Sequence, residues 1–171
     1  MSVEHIRQSM ARAIAYLEKR PDKARYTDSS ATAVVEKGLR SRAEGPGGAV
    51  LVSDMPKGVG GGGAAPTPGW LMRATLAACD ATLIAMRAAQ EGVDLATLEV
   101  TVDSESDDRG LLGMDDSVPA GPLSTRTKVR IAAEGVDEEK LRSIVEWAEA
   151  HSPVADALRR TVPARIEVNI P

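Results

Sequence analysis

The run TPGWLMRATLAACDATLIAMRAAQEG, residues 67–92, decides the fold. Thr67 offers an N-cap oxygen, Pro68 suits the first helical position, and Gly92 is a stop signal, so the spacing predicts one helix from Pro68 to about Gln90. Trp70, Leu71, Met72, Leu76, Cys79, Leu83, Ile84 and Met86 make that helix apolar on most sides and leave only a narrow polar stripe, the pattern of a buried element. Its length would also suit a membrane span of roughly 20 residues. However, Arg73, Asp80 and Arg87 recur along it, and lipid penalises all three. The run therefore reads as a core helix of a soluble protein.

Upstream, Ile6, Met10, Ala13, Ile14 and Leu17 fall at helical spacing and Pro21 closes the segment, which predicts an amphipathic helix over residues 2–20. Its apolar face must dock on something. Between Ala31 and Ser53 three β-prone runs are divided by Lys37-Gly38 and by the segment Glu44 to Gly48, both turn signals, so a small antiparallel meander is expected. Pro56 to Gly69 is rich in Gly, Ala and Pro and reads as a loop. Downstream, Leu98, Val100 and Val102 alternate with polar neighbours, as do Val129, Ile131 and Ala133, predicting two half-buried strands. Asp107 to Pro122 between them reads as an exposed excursion. Asp137 caps a helix with Leu141, Ile144, Val145 and Ala148 on one face, and Ser152-Pro153 opens a short second one. Ile166, Val168 and Ile170 are expected to close the chain as a strand. Together these elements describe a single α+β domain over residues 1–171, with no internal repeat.

Composition narrows the function. The 171 residues are 43% hydrophobic and 27% charged, the balance of a folding chain. Phe is absent and only two Trp and two Tyr are present, so little is available to stack on bases or sugars. The net charge of −4, with no basic block, disfavours nucleic acid. Arg7 and Arg12 interrupt the N-terminal segment, which lacks the continuous apolar core of a signal peptide, so the cytoplasm is the expected compartment. The lone cysteine excludes an intrachain disulfide and a cysteine-based zinc site, and any redox cycle needs a thiol from elsewhere.

Gly58, Gly60 and Gly63 match G-x-G-x-x-G after a predicted strand, but Ala64 to Thr67 separate them from the helix that should receive a pyrophosphate. They read as loop glycines. His151 and Ser152 are adjacent, yet sequence neighbours rarely aim their side chains at one another; Ser152 reads as an N-cap and His151 as the cationic end of the preceding helix. With His5 the only other histidine, no metal site is expected, and the acidic residues of 103–116 lack the calcium-loop pattern. No cofactor is expected. Cys79 remains, either as a small buried hydrophobe or as a nucleophile that needs a nearby cation, because a free thiol of pKa about 8.5 is mostly protonated at pH 7. Arg73 lies roughly 9 Å along the same helix and on another side of it, so an activating arginine has to come from elsewhere, with Arg40 or Arg42 the candidates.

Gly38-Leu39-Arg40, the Gly60 to Pro68 stretch, Leu76-Ala77-Ala78-Cys79 and the order of elements resemble the OsmC/Ohr family, the osmotically inducible and organic-hydroperoxide-resistance proteins of bacterial type. The likeness covers 31–171, with residues 1–25 an added N-terminal helix. It implies antiparallel sheets around long central helices in an intertwined homodimer, Cys79 as the peroxidatic cysteine, and Arg40, with Arg42 the alternative, as the arginine that stabilises its thiolate. The family's second cysteine, usual in a His-Cys-Pro-type motif, is replaced here by Ser152 in His151-Ser152-Pro153-Val154. Its glutamate after the helix-opening proline is replaced by Gly69. Two functions follow from the resemblance. One is a stress-related thiol peroxidase that reduces organic hydroperoxides and draws on an external thiol reductant. The other is a non-catalytic dimer that binds a small hydrophobic molecule at its interface.

Overall fold

The computed structural model describes residues 2–170. Helix α1 (Val3–Lys19) starts where the Ser2 side chain accepts the His5 N–H. The meander follows as β1 (Thr32–Lys37), β2 (Arg40–Glu44) and β3 (Val50–Ser53), paired antiparallel in the order β1-β2-β3. Gly38 takes φ +59° in the tight β1–β2 turn, where a side chain would be strained. The long helix α2 spans Pro68–Gln90; its cap is the Thr67 hydroxyl, which accepts the Trp70 N–H, and Gly92 at φ +71° ends it.

Strands β4 (Leu95–Glu105) and β5 (Ser124–Ala133) form a long antiparallel hairpin. A short helix, α3 (Asp108–Leu111), interrupts the expected excursion between them, held by Asp107, which caps it and grips Arg109 through both carboxylate oxygens. Helices α4 (Glu138–His151) and α5 (Pro153–Arg159) follow, capped by Asp137 and Ser152.

The hairpin lies on α2 and α4. Ile84, Ala88, Val93, Ile144 and Ala148 form the centre of the core, with Leu98, Val100, Val129 and Ile131 closing it from the sheet. Ile144 is fully buried. Ile144→Ala should cost about 2–5 kcal/mol through lost transfer energy and the cavity left behind, a loss that denaturant unfolding would measure.

Three expectations are corrected. Ile166, Val168 and Ile170 form no strand; they are 90%, 76% and 84% exposed. A strand exists only where a neighbouring edge accepts its ladder, and in a single chain none meets this segment. The second correction concerns α2, which is buried along one stripe, Leu76, Asp80, Ile84, Ala88 and Ala89, while Trp70 is half exposed. The third concerns its charges, which form no solvent stripe. Arg73 donates to Ser104 of β4, Asp80 lies in the buried stripe, and Arg87 stacks over Trp147 at 4.8 Å and pairs with Glu91. No helix among the described residues is long and apolar enough to cross a membrane.

Candidate active site around Cys79

Helix α2 presents Cys79 at its middle, where the α4–α5 corner meets it. At that corner α4 ends on His151, whose ring stacks on Trp147 and bonds the Trp147 carbonyl. Ser152 follows as the N-cap of α5 and Pro153 as its first residue. The corner brings the Ser152 hydroxyl to 3.3 Å from Cys79 Sγ, with Oγ also accepting the Ala155 N–H. Ser152 is fully buried, whereas Cys79 keeps partial access to solvent. A thiol and a hydroxyl 73 positions apart in sequence thus meet in one hydrogen bond.

Asp80 stands beside them. It is 4% exposed and its Oδ1 has no hydrogen-bond partner. Burial pushes its pKa up; the neighbouring Ser152 hydroxyl opposes this, the Glu149 charge on α4 adds to it, and the Arg159 charge on α5 offsets it. A carboxyl with a raised folded-state pKa binds its proton more tightly in the fold than in the unfolded chain. Its contribution is therefore most favourable at low pH and is lost as pH rises from the ordinary value of 3.8 through the raised folded value. Asp80→Asn should accordingly raise the thermal midpoint at pH 7 and leave it little changed near pH 3, as a pair of melts would record.

The arginines sit elsewhere within the chain. Arg40, at the start of β2, donates to Glu36 at 3.2 Å and lies near the carboxylate of Asp54. Arg42 pairs with Glu44. Among the described residues, no hydrogen bond or ion pair joins either arginine to Cys79.

The glycine-rich loop has a structural occupation that the sequence did not disclose. Asp54, at the end of β3, accepts the N–H groups of Met55 and Gly62 on Oδ1 and of Ala64 on Oδ2. The Ala64 bond is foremost in holding its carboxyl below the usual range. The loop thus wraps a carboxylate with backbone amides, and its glycines are there to let the chain come close. A Cβ on Gly61 would land inside the Met55 carbonyl. Gly61→Ala should cost roughly 1–3 kcal/mol through forced backbone shifts, visible as a lowered denaturation midpoint. The signal in the sequence was an aspartate closing a strand just before a glycine run.

Residues 60–167 match the family model described as OsmC-like protein. The chain belongs to the OsmC-like protein family. Solved structures agree on the fold. An OsmC-like protein from Mycoplasma pneumoniae superposes with a TM-score of 0.67 at 14% identity, covering 80% of this chain and 91% of that one. An organic hydroperoxide resistance protein from Legionella pneumophila gives 0.57 at 21% identity, covering 79% and 91%. The organic hydroperoxide resistance protein OhrB of Bacillus subtilis gives 0.51 at 19%, covering 79% and 93%. No curated protein sequence matches the chain. At these identities the likeness is one of fold. The site of this OsmC-like chain holds one thiol, Cys79, a buried serine bonded to it, and a buried aspartate at the position after the thiol.

The described residues contain no group of three or more His, Cys, Asp or Glu side chains suited to a metal ion.

Proposed function

We propose that this OsmC-like protein is a stress-response thiol peroxidase with a single redox cysteine. Cys79 Sγ attacks the distal oxygen of an organic hydroperoxide, the O–O bond breaks, the alcohol leaves, and Cys79 becomes a sulfenic acid. An external thiol then forms a mixed disulfide with it, releasing water, and a second thiol frees Cys79. The observation that carries this reading is the 3.3 Å contact between Cys79 and Ser152. It means that the two positions where the family resemblance implies two cysteines meet in space, with a hydroxyl in place of the second thiol. The reading further assigns the protein to the cytoplasm, where a lone thiol stays reduced.

The working unit in this proposal is a homodimer. Val34, Val35, Val50 and Leu51 leave the β1–β3 sheet with exposed apolar side chains, and the tail exposes Ile166, Val168 and Ile170 at alternate positions. A second copy would cover both. The same assembly would bring Arg40 of the partner subunit, or Arg42 as the alternative, toward Cys79 to stabilise its thiolate. Light scattering should give about twice the 18.0 kDa chain mass, and Arg40→Ala should slow alkylation of Cys79. A monomer at micromolar concentration contradicts the assembly. Consumption of an organic hydroperoxide by the purified protein with a thiol reductant, lost in Cys79→Ser, tests the activity itself.

One observation favours the non-catalytic alternative. A mostly apolar cavity of about 500 Å³ lies between the start of α2 and residues 104–122, lined by Met55, Met72, Arg73, Leu111 and Pro122 but not by Cys79. A small hydrophobic molecule bound there, with no hydroperoxide consumed, would put the binding function first.

A further inference from the structure

We propose that the cavity at the start of α2 binds an apolar monocarboxylate, whose head group pairs with Arg73 and whose tail lies among Met55, Met72, Leu111 and Pro122. The inference rests on the reading of that cavity as a binding site and names the class of ligand it takes. It does not depend on the chemistry of Cys79, which does not line the cavity.

The charge of Arg73 carries the argument. Among the described residues the partly buried basic side chains are Arg40, Arg42, Arg73, Arg87 and Lys140. Arg40 pairs with Glu36, Arg42 with Glu44, and both Arg87 and Lys140 with Glu91. Arg73 is the one of these that no carboxylate of the described residues answers. A guanidinium drawn out of bulk water without a counter-ion is costly. Its one side-chain hydrogen bond runs from Nη1 to the Ser104 hydroxyl of β4 at 3.2 Å. That bond ties the group to the cavity wall and leaves Nε and Nη2 uncommitted, the pair of donors that grips both oxygens of a carboxylate. Gly69 keeps the approach open. A Cβ built on it would stand 3.9 Å from Arg73 Nη1, so the first turn of α2 has a place from which a side chain could answer the guanidinium, and glycine leaves it empty.

The rest of the cavity decides which anion. Its volume of about 500 Å³ falls in the range that encloses a small organic molecule. The methionines, Leu111 and Pro122 give such a molecule apolar surface to bury, which a short polar acid cannot use. Asp107 and Asp108 also line the space. Asp107 is neutralised by its two-pronged pair with Arg109, whereas the exposed Asp108 adds a negative charge at the rim. One guanidinium set against one such carboxylate suits a monoanion and opposes a dianion such as a phosphate monoester. The ligand that fits both the walls and the charge is a carboxylate with an apolar tail.

The test is calorimetric titration of the full-length protein at neutral pH with octanoate, with octan-1-ol as its neutral counterpart, and with octyl phosphate. Octanoate should bind about tenfold tighter than octan-1-ol, the scale of a charge-assisted hydrogen-bonded contact, and octyl phosphate should bind more weakly than octanoate. Arg73→Met, which keeps an apolar stem, should remove the preference for the acid and leave octan-1-ol binding unchanged. Gly69→Glu should remove it too, by supplying a carboxylate beside Arg73 from within the chain, at a helix start where an acidic residue is favoured. Octan-1-ol binding as tightly as octanoate would overturn the inference while leaving the cavity a binding site. A preference for octanoate that survives both substitutions would place the anion elsewhere and overturn it as well. If none of the three ligands binds, the inference and the reading of the cavity fall together. The comparison of acid with alcohol is made on the native chain, so it decides the matter even if a variant fails to fold.

Discussion

Ser152→Cys should convert a protein that excess hydroperoxide inactivates into one that turns over repeatedly with a dithiol reductant. In the native chain the serine hydroxyl cannot attack a sulfenic acid to form a disulfide, so oxidised Cys79 waits for an external thiol or proceeds to sulfinic acid, which does not return. A cysteine sulfur at position 152 starts from an oxygen site 3.3 Å from Cys79 Sγ. Disulfide bonding requires about 2.05 Å between sulfurs, a closure that small side-chain rotations can supply. The expected change is all or none: after stoichiometric peroxide the variant should lose two hydrogens and recover on reduction, while the native chain should gain oxygen at Cys79. Failure of the engineered pair to bond would mean that the α4–α5 corner does not hold Cys79 at the separation seen here.

Leu76→Asp should abolish the fold. Leu76 is 3% exposed and shares its buried stripe with Asp80, Ile84 and Ala88. An unpaired buried carboxylate costs several kcal/mol, a large part of the roughly 5–15 kcal/mol that holds a domain together. Asp80, one turn away, shows the strain of such a site already: burial pushes its pKa up, and a second buried carboxyl at Leu76 would add to it. Loss of soluble protein and of the helical circular-dichroism signal is expected, whereas a soluble, folded Leu76→Asp protein would mean that this face of α2 is not core. Asp80→Asn should move stability the other way near neutral pH, because burial holds the carboxyl's pKa above its ordinary value.

The local order was legible from the sequence wherever punctuation and period agreed. Thr67, Pro68 and Gly92 bound α2 as their chemistry dictates, Asp137 and Ser152 cap the helices they precede, and the alternation around Val100 and Val129 builds the β4–β5 hairpin. The family motifs led to Cys79 and Ser152, and the bond between them is a tertiary fact that no spacing could announce. Asp80, with Arg73 and Arg87, reads in the sequence only as a charge that lipid penalises, and nothing there singles it out as a buried group. Helical period alone does not say which stripe meets α4, and here a charged position faces inward. Asp54 escaped notice because an aspartate before a glycine run has many possible uses, and only the folded loop brings three backbone amides to it. The tail illustrates the converse limit: Ile166, Val168 and Ile170 carry a strand's alternation, but a strand is a relation between two segments, and no described segment of the chain pairs with this one.

The most direct test of the account is the fate of Cys79 after one equivalent of an organic hydroperoxide, followed by mass spectrometry of the intact protein and of the peptide containing residue 79. The account predicts a single oxygen added at Cys79, trapped by a sulfenic-acid reagent and removed by an external thiol, with further oxidation under excess peroxide. A Cys79 left unmodified while the hydroperoxide remains unconsumed would contradict it.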